Sequence, residues 1–180
     1  MIEGKNVILR TFKEEDVEKV FEKTKRVLGR GDYYPMDFLS LLKNKKEFQE
    51  NGNWDPENVG ALLITNKDGE YLGVIAFFKE NPHQLGYDIG FMVFDSERRG
   101  KGIMTEASKI LCAYLFELKP IPRLQATVEV GNIASGRVLE KCGFKKDGVM
   151  RKAVFNHGEY RDLELYSLLR EECSSLKDVL

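Results

Sequence analysis

Two glycines one residue apart, set among three cations, are the residues here whose spacing best suits a chemical task. They lie in Phe91-Met92-Val93-Phe94-Asp95-Ser96-Glu97-Arg98-Arg99-Gly100-Lys101-Gly102-Ile103-Met104-Thr105-Glu106-Ala107. The apolar run at its start reads as a buried strand, and an apolar-periodic helix begins directly after the second glycine. The first amides of a helix have no intrahelical acceptor, and the helix dipole places partial positive charge there. Gly100 and Gly102 let a phosphate approach the backbone without meeting a Cβ. Arg98, Arg99 and Lys101 add full positive charge beside it. The chemistry suggested is anion binding, although a tight strand–helix turn with solvated cations uses the same residues. A dinucleotide fingerprint would need glycine at Thr105, and a Walker A loop would need Gly-Lys-Ser/Thr after its spacer, so both are excluded.

Composition narrows the class. The net charge is −1, so no global field draws the chain to nucleic acid or to an anionic membrane, and any grip on phosphate must be local. Cys112, Cys142 and Cys173 are odd in number and far apart. With no C-x-x-C spacing they suggest neither a disulfide framework nor a zinc site, and they fit a reducing cytoplasm. His83 and His157 are isolated in sequence. No apolar run reaches transmembrane length, and the first residues carry no signal-peptide pattern. The 180 residues suit one domain with a core over about 6–169.

The elements that must position the glycine turn follow from periodicity. Residues 7–10 read as a strand. Thr11 and the acids Glu14, Glu15 and Asp16 open a helix with an apolar stripe of Val17, Val20, Phe21, Val27 and Leu28, ended by Gly29 and Gly31. A second helix is expected from about Asp37 to Gly52, with Phe38, Leu41, Leu42 and Phe48 on one face. Tyr33, Tyr34, Met36 and, further on, Trp54 either line a cleft or cap the core. Residues 59–65, 71–78 and 85–94 form an antiparallel meander, joined by the hairpin turn Asn66-Lys67-Asp68-Gly69 and by the loop Lys79-Glu80-Asn81-Pro82-His83. The helix after the glycines buries Ile103, Ala107, Ile110, Leu111, Tyr114 and Leu118, and Pro120 and Pro122 end it. Leu124, Ala126 and Val128 alternate as a strand. Asn132 and Gly143 are good caps for a further helix. Strands at 149–156 and 160–169 make a final hairpin around His157-Gly158, and 170–180 reads as a charged, frayed tail.

Arg99-Gly100-Lys101-Gly102-Ile103-Met104 resembles the R-x-x-G-x-G/A signature of the GNAT superfamily of N-acetyltransferases, with Met104 standing where the family has a small residue. The continuation through Thr105-Glu106-Ala107 resembles the branch of ribosomal-protein N-terminal acetyltransferases, the RimJ/RimL type. The run from Asn132 through Ser135, Val138, Leu139, Glu140 and Lys141 to Gly143-Phe144 resembles the second signature region of the same family. The pair is far more specific than either part. The resemblance covers nearly the whole chain. It implies an α+β, three-layer GNAT-like fold: a mixed, mostly antiparallel sheet of about seven strands with helices on both faces, in the order β-α-α-β-β-β-α-β-α-β-β.

What the resemblance implies for function is acetyl transfer from acetyl-coenzyme A to a primary amine, most simply a protein N-terminal α-amine, without a metal. A small amine acceptor and a non-catalytic acyl-coenzyme A sensor are the alternatives. The coenzyme's pyrophosphate would sit on Arg98, Arg99, Gly100, Lys101, Gly102, Ile103, Met104 and Thr105. Asn132 would contact the pantetheine arm. Met92, Val93 and Phe94 lie on the strand that splays from its neighbour in this family, and their backbone would pair with pantetheine and stabilise an oxyanion. For a general base Asp88 and Glu129 are placed best, with a solvated strand carboxylate as the other reading of each. Leu139 replaces the tyrosine that many relatives use as general acid. Ser135 is the substitute candidate, or else a first-turn serine bonding backbone. No nucleic-acid or membrane partner is expected, and the edge of the final hairpin could support a homodimer.

Overall fold

Helix α1 (Glu14–Thr24) is fixed at its first turn by one buried carboxylate. Asp16 accepts from the Lys13 amide at 2.7 Å, from the Arg10 guanidinium at 2.6 and 2.9 Å, and from the Tyr71 hydroxyl. This computed structural model describes residues 1–55, 57–79 and 83–180. Glu80, Asn81 and Pro82 of the expected loop, and Pro56, lie outside the described residues. Burial alone would raise the Asp16 carboxyl, but the bonds from Arg10, Tyr71 and Lys13 outweigh it and hold it well below the usual carboxylate range. A folded-state pKa below the unfolded value of about 3.9 stabilises the fold above that pH, and the gain is lost as pH falls. Thermal melts of wild type and Asp16→Asn should therefore differ most near neutrality, and the difference should shrink progressively only below about pH 4. A constant difference would contradict this role.

The first helix is shorter than its apolar stripe. It stops at Thr24, Arg26 is extended, and a separate 3-10 turn spans Val27–Arg30. Two nearby glycines make continued helix costly, and Leu28 ends up 80% exposed. Helix α2 (Leu41–Asn51) also starts later than expected, because Ser40 takes the N-cap and accepts from the Lys43 amide at 3.3 Å. Phe38 and Leu42, expected on a buried face, are 92% and 80% exposed.

Among the described residues nine strands form one sheet. In chain order they are β1 (Ile2–Glu3), β2 (Ile8–Arg10), β3 (Trp54–Asp55), β4 (Val59–Thr65), β5 (Tyr71–Phe78), β6 (Tyr87–Val93), β7 (Arg123–Glu129), β8 (Lys145–Asn156) and β9 (Glu159–Leu169). Their spatial order is β1-β2-β4-β5-β6-β7-β9-β8, with β3 on β4, and only β6 and β7 run parallel. The seven strands of the expected order are all present; the two additions, β1 and β3, are two residues each.

Helix α3 (Ile103–Leu118) covers one face. Met104, Ala107, Ile110, Leu111 and Leu115 join Ile64, Ile75, Phe77, Ile89, Leu124 and Ala126 in the core. Leu118, expected in that stripe, is 46% exposed. Leu63 alternates to the other face, where α1 contributes Tyr71's partner Asp16. Trp54 packs edge-on against Phe77, so it belongs to the core rather than to a cleft.

The chain's last residues are not frayed. A 3-10 turn (Arg170–Glu172) leads to α5 (Leu176–Val179), whose apolar residues pack on the core. The Arg170 guanidinium donates to the carbonyls of Phe116 at 2.6 Å, Ile121 at 2.9 Å and Lys119. These carbonyls lie at and just beyond the C-terminus of α3, where a cation is favoured. Arg170→Met should cost about 2 kcal/mol, seen as a melting temperature lower by roughly 4–8 °C; an unchanged melt would mean the tail contributes nothing.

Candidate active site

The two parallel strands touch at one end only. Tyr87 pairs with Leu124 and Asp88 with Gln125, and no later pair registers. At the closed end the backbones are so near that a Cβ on Gly86 would lie 1.9 Å from the Arg123 carbonyl oxygen. Beyond Gln125 the strands part, leaving a gap whose far lips are Val93 and Glu129.

Register decides which backbone groups face this gap. The Phe94 amide donates to the Leu72 carbonyl at 3.0 Å, and Val93 lies opposite Gly73 and Met92 opposite Val74. Hydrogen-bonded and non-hydrogen-bonded pairs alternate along an antiparallel ladder. The backbone groups of Met92 and Phe94 are therefore committed to β5, and those of Phe91 and Val93 point into the gap. The expected trio Met92, Val93 and Phe94 is corrected accordingly: only Val93 of the three is open, and Phe91 joins it.

The glycine turn stands at the end of β6. Gly100 and Gly102 have φ of 76° and 83°, the left-handed region that side-chain-bearing residues avoid. Gly102 is the N-cap of α3 and offers no side chain to its amides. Among the described residues, the amides of Gly100, Lys101, Gly102, Ile103, Met104 and Thr105 donate to no protein acceptor, and the first helical bond runs from Glu106 N–H to the Gly102 carbonyl. A Cβ at Gly100 or Gly102 would meet nothing within 4 Å, so the space above the turn is open. Met104 is 5% exposed with its side chain in the core, so its bulk leaves the turn clear.

The three cations are used differently. Arg98 donates to both carboxylate oxygens of Glu70 at 3.0 Å, an exposed ion pair at the rim of the turn. Arg99 reaches the Arg30 carbonyl at 3.4 Å. Lys101 is exposed and has no ion-pair partner among the described residues. Sequence reading passed over Glu106, whose carboxylate accepts from the Asn6 amide at 2.8 Å and the Asn6 side chain at 2.9 Å, tying the cradle helix to the chain's start. Its acid side chain in a first helical turn was the available signal.

Across the gap, Glu129 ends β7 and is 8% exposed. Its Oε1 accepts from the Asn156 side chain at 2.7 Å, while its buried Oε2 has no hydrogen bond and lies 3.9 Å from Arg161 Nε. Asn156 and Arg161 come from the final hairpin, and nothing in their local sequence marks them. Asn132 caps helix α4 (Ile133–Lys141) by accepting from the Ser135 amide at 3.2 Å, which leaves its side-chain amide free to donate. Ser135 is half-buried, and its hydroxyl bonds no backbone group among the described residues. Leu139 is fully buried in the core. Beneath α4 the Tyr166 hydroxyl donates to Glu164 at 2.9 Å, and burial, then that carboxylate, push its phenol up to about 12.

Asp88 is not brought to this site. Its carboxylate, 2% exposed, accepts from Gln84 at 2.6 Å and Gln125 at 3.0 Å at the closed end, about 16 Å along the strand from Val93. It fastens the sheet there. The cysteines offer no nucleophile either: burial pushes the Cys142 thiol up to about 12, and it donates to the Thr105 carbonyl at 3.5 Å.

One further segment crosses the opening. The Tyr33 hydroxyl donates to the Gly131 carbonyl at 2.9 Å on the β7 side, and the Arg30 carbonyl receives Arg99 on the β6 side. The residues between α1 and α2 thus form a strap joining both lips. Tyr33 is 40% exposed and Tyr34 lies under the Arg30 guanidinium, so these aromatics belong to the strap.

A parallel pair that splays beside an uncapped, glycine-cradled helix is the arrangement that the acetyltransferase resemblance implies. Residues 6–145 match the family model described as the acetyltransferase (GNAT) domain, and the chain belongs to that family. It is 30% identical to the probable N-acetyltransferase YjcK of Bacillus subtilis, over 96% of this chain and 98% of that one. It is 25% identical to the ribosomal-protein-serine acetyltransferase of Escherichia coli, covering 88% and 90% of the two chains. The spermidine N-acetyltransferase of Vibrio cholerae, solved with coenzyme A and spermine, superposes with a TM-score of 0.80 over 92% of this chain and 96% of its own at 15% identity, a likeness of fold.

The protein is an N-acetyltransferase, and acetyl-coenzyme A is its co-substrate. The orphaned amides and the open space over the glycines fit a diphosphate. Among the described residues no helix is long and apolar enough to cross a membrane, and no cluster of His, Cys, Asp or Glu could hold a metal ion.

Proposed function

We propose that this chain, acting as one domain, acetylates protein N-terminal α-amines in the manner of the RimJ/RimL branch. The observation that carries the reading is the buried Oε2 of Glu129 at the open end of the gap, which accepts no hydrogen bond and has only the Arg161 guanidinium 3.9 Å away. Bound acetyl-coenzyme A would supply an acetyl thioester. The amides of Gly100 to Thr105 and the Lys101 ammonium hold its diphosphate. Phe91 and Val93 pair with the pantetheine arm, and the Val93 N–H faces the developing oxyanion. The Asn132 side-chain amide adds a donor to the same arm. Glu129 takes the proton that the amine nitrogen loses as the C–N bond forms, and the Ser135 hydroxyl donates to sulfur as the C–S bond breaks.

Amine basicity favours the α-amine. Lysine has a pKa near 10.4 against about 7.7–8.0 for an α-amine, so its neutral form costs roughly 3 kcal/mol more near pH 7. A single carboxylate is a modest base and suits the easier amine. The strap and the first turn of α2 also present Leu28, Phe38 and Leu42 at 80%, 92% and 80% exposure, apolar surface that a polypeptide can cover. The three free cysteines fit a reducing cytoplasm. Edge strand β8 exposes Val149 and Met150, the surface through which we expect a homodimer.

Free-thiol release at pH 7 tests the acceptor. Peptides with a free α-amine should exceed N-blocked lysine peptides at least tenfold in kcat/KM. Faster turnover of spermidine, a free amino acid or an aminoglycoside would overturn the reading.

A further inference from the structure

The strap buries a cation with no anion to meet it. Arg30 is 6% exposed. Its guanidinium donates once, to the Asp37 backbone carbonyl, and its carbon sits 5.4 Å from the Tyr34 ring centroid. Its buried Nε has no acceptor. Among the described residues no carboxylate lies within ion-pairing distance of it; Asp37 contributes its carbonyl, not its side chain. Asp16, by contrast, holds the Arg10 guanidinium, and Glu129 has Arg161 3.9 Å away. Removing a cation from water without a counter-charge is unfavourable unless an anion joins it.

We propose that Arg30 receives a carboxylate of the acceptor, and that the enzyme prefers polypeptide N-termini with an acidic side chain at the second or third residue. The inference rests on the N-terminal reading above. The coenzyme's phosphates are the other source of an anion, but they have their own seat at the glycine turn. Arg99 lies between that turn and the strap, bonded to the Arg30 carbonyl and close to Gly31. The Arg30 side chain runs onward, to Asp37 and Tyr34. It belongs to the strap that ties both lips of the gap, so an acceptor that enters under the strap would pass the segment that carries it. A polycationic acceptor would face this uncompensated charge, so polyamines are poor substrates.

The test uses matched peptides differing only by Glu for Gln, or Asp for Asn, at positions two and three. Wild type should prefer the acidic member by about 10²-fold in kcat/KM, since a buried polar site rejects a ligand that leaves it unpaired. Arg30→Met should abolish that preference, leave turnover of the neutral peptide within threefold, and leave coenzyme A affinity within twofold by calorimetry. Arg30→Lys should keep part of the preference. Equal rates on both peptides with wild type would overturn the proposal while leaving N-terminal acetylation standing; no turnover of any peptide would sink both. A tenfold loss of coenzyme A affinity in Arg30→Met, with peptide preference unchanged, would assign Arg30 to the coenzyme and overturn the acceptor role. Should both variants fail to fold, the wild-type peptide ratio alone decides.

Discussion

Val93→Pro is expected to lower kcat by about 10²–10³-fold, the usual loss when one oxyanion donor is removed, with little change in stability. Proline deletes an N–H and fixes φ near a value an extended strand tolerates. At Val93 the deleted N–H faces the gap, because the neighbouring Phe94 amide is the one that reaches Leu72. The β5 ladder stays whole, as on an edge strand. The companion Met92→Pro deletes a ladder bond to Val74 in the middle of the sheet and should unfold the protein. Thiol-release kinetics and thermal melts on both variants separate the two effects. If Val93→Pro keeps kcat within fivefold, the gap-facing assignment is wrong.

The second large effect belongs to Glu129. Glu129→Gln keeps the shape and an oxygen for Asn156 to donate to, and it removes the base. A loss of about 10²–10⁴-fold in kcat is expected, with coenzyme A affinity within twofold. A loss of less than fivefold in Glu129→Gln would move the base elsewhere. Asn156 and Arg161 should then be tested next, since they are the groups that hold this carboxylate.

The two signature runs were legible because their chemistry is local. Gly100 and Gly102 adopt left-handed backbone wherever such a turn is built, and Asn132 caps the helix that follows it. Spacing alone placed them on a turn and a helix start. The splay was also anticipated, but not its register. Whether Val93 or Phe94 opens to the gap depends on which residue of β5 each meets, a fact about another strand. The same limit misplaced Asp88. Its residue type and strand suited a base, yet Gln84 and Gln125 consume both oxygens at the closed end. That Arg98 pairs with Glu70, from the preceding hairpin, is likewise a fact about another segment. Helix ends erred where apolar residues stayed exposed, as at Leu28, Phe38 and Leu42. Periodicity reports amphipathic pattern and cannot say which residues of an apolar stripe stay exposed.

The amino-acid order by itself determined the class of this protein: an acetyl-coenzyme A cradle made from glycine conformation, helix-end amides and nearby charge, all set by residues adjacent in the chain. The tertiary structure decided which strand amides stay open, which carboxylate keeps an oxygen without a hydrogen bond, and that Arg30 is buried without an anion. Those outcomes depend on partners brought together from distant segments, such as Glu129 with Asn156 and Tyr33 with Gly131. Hydrogen-bond capacity is used up pairwise across space, so what remains for a substrate is known only once every pairing is in place.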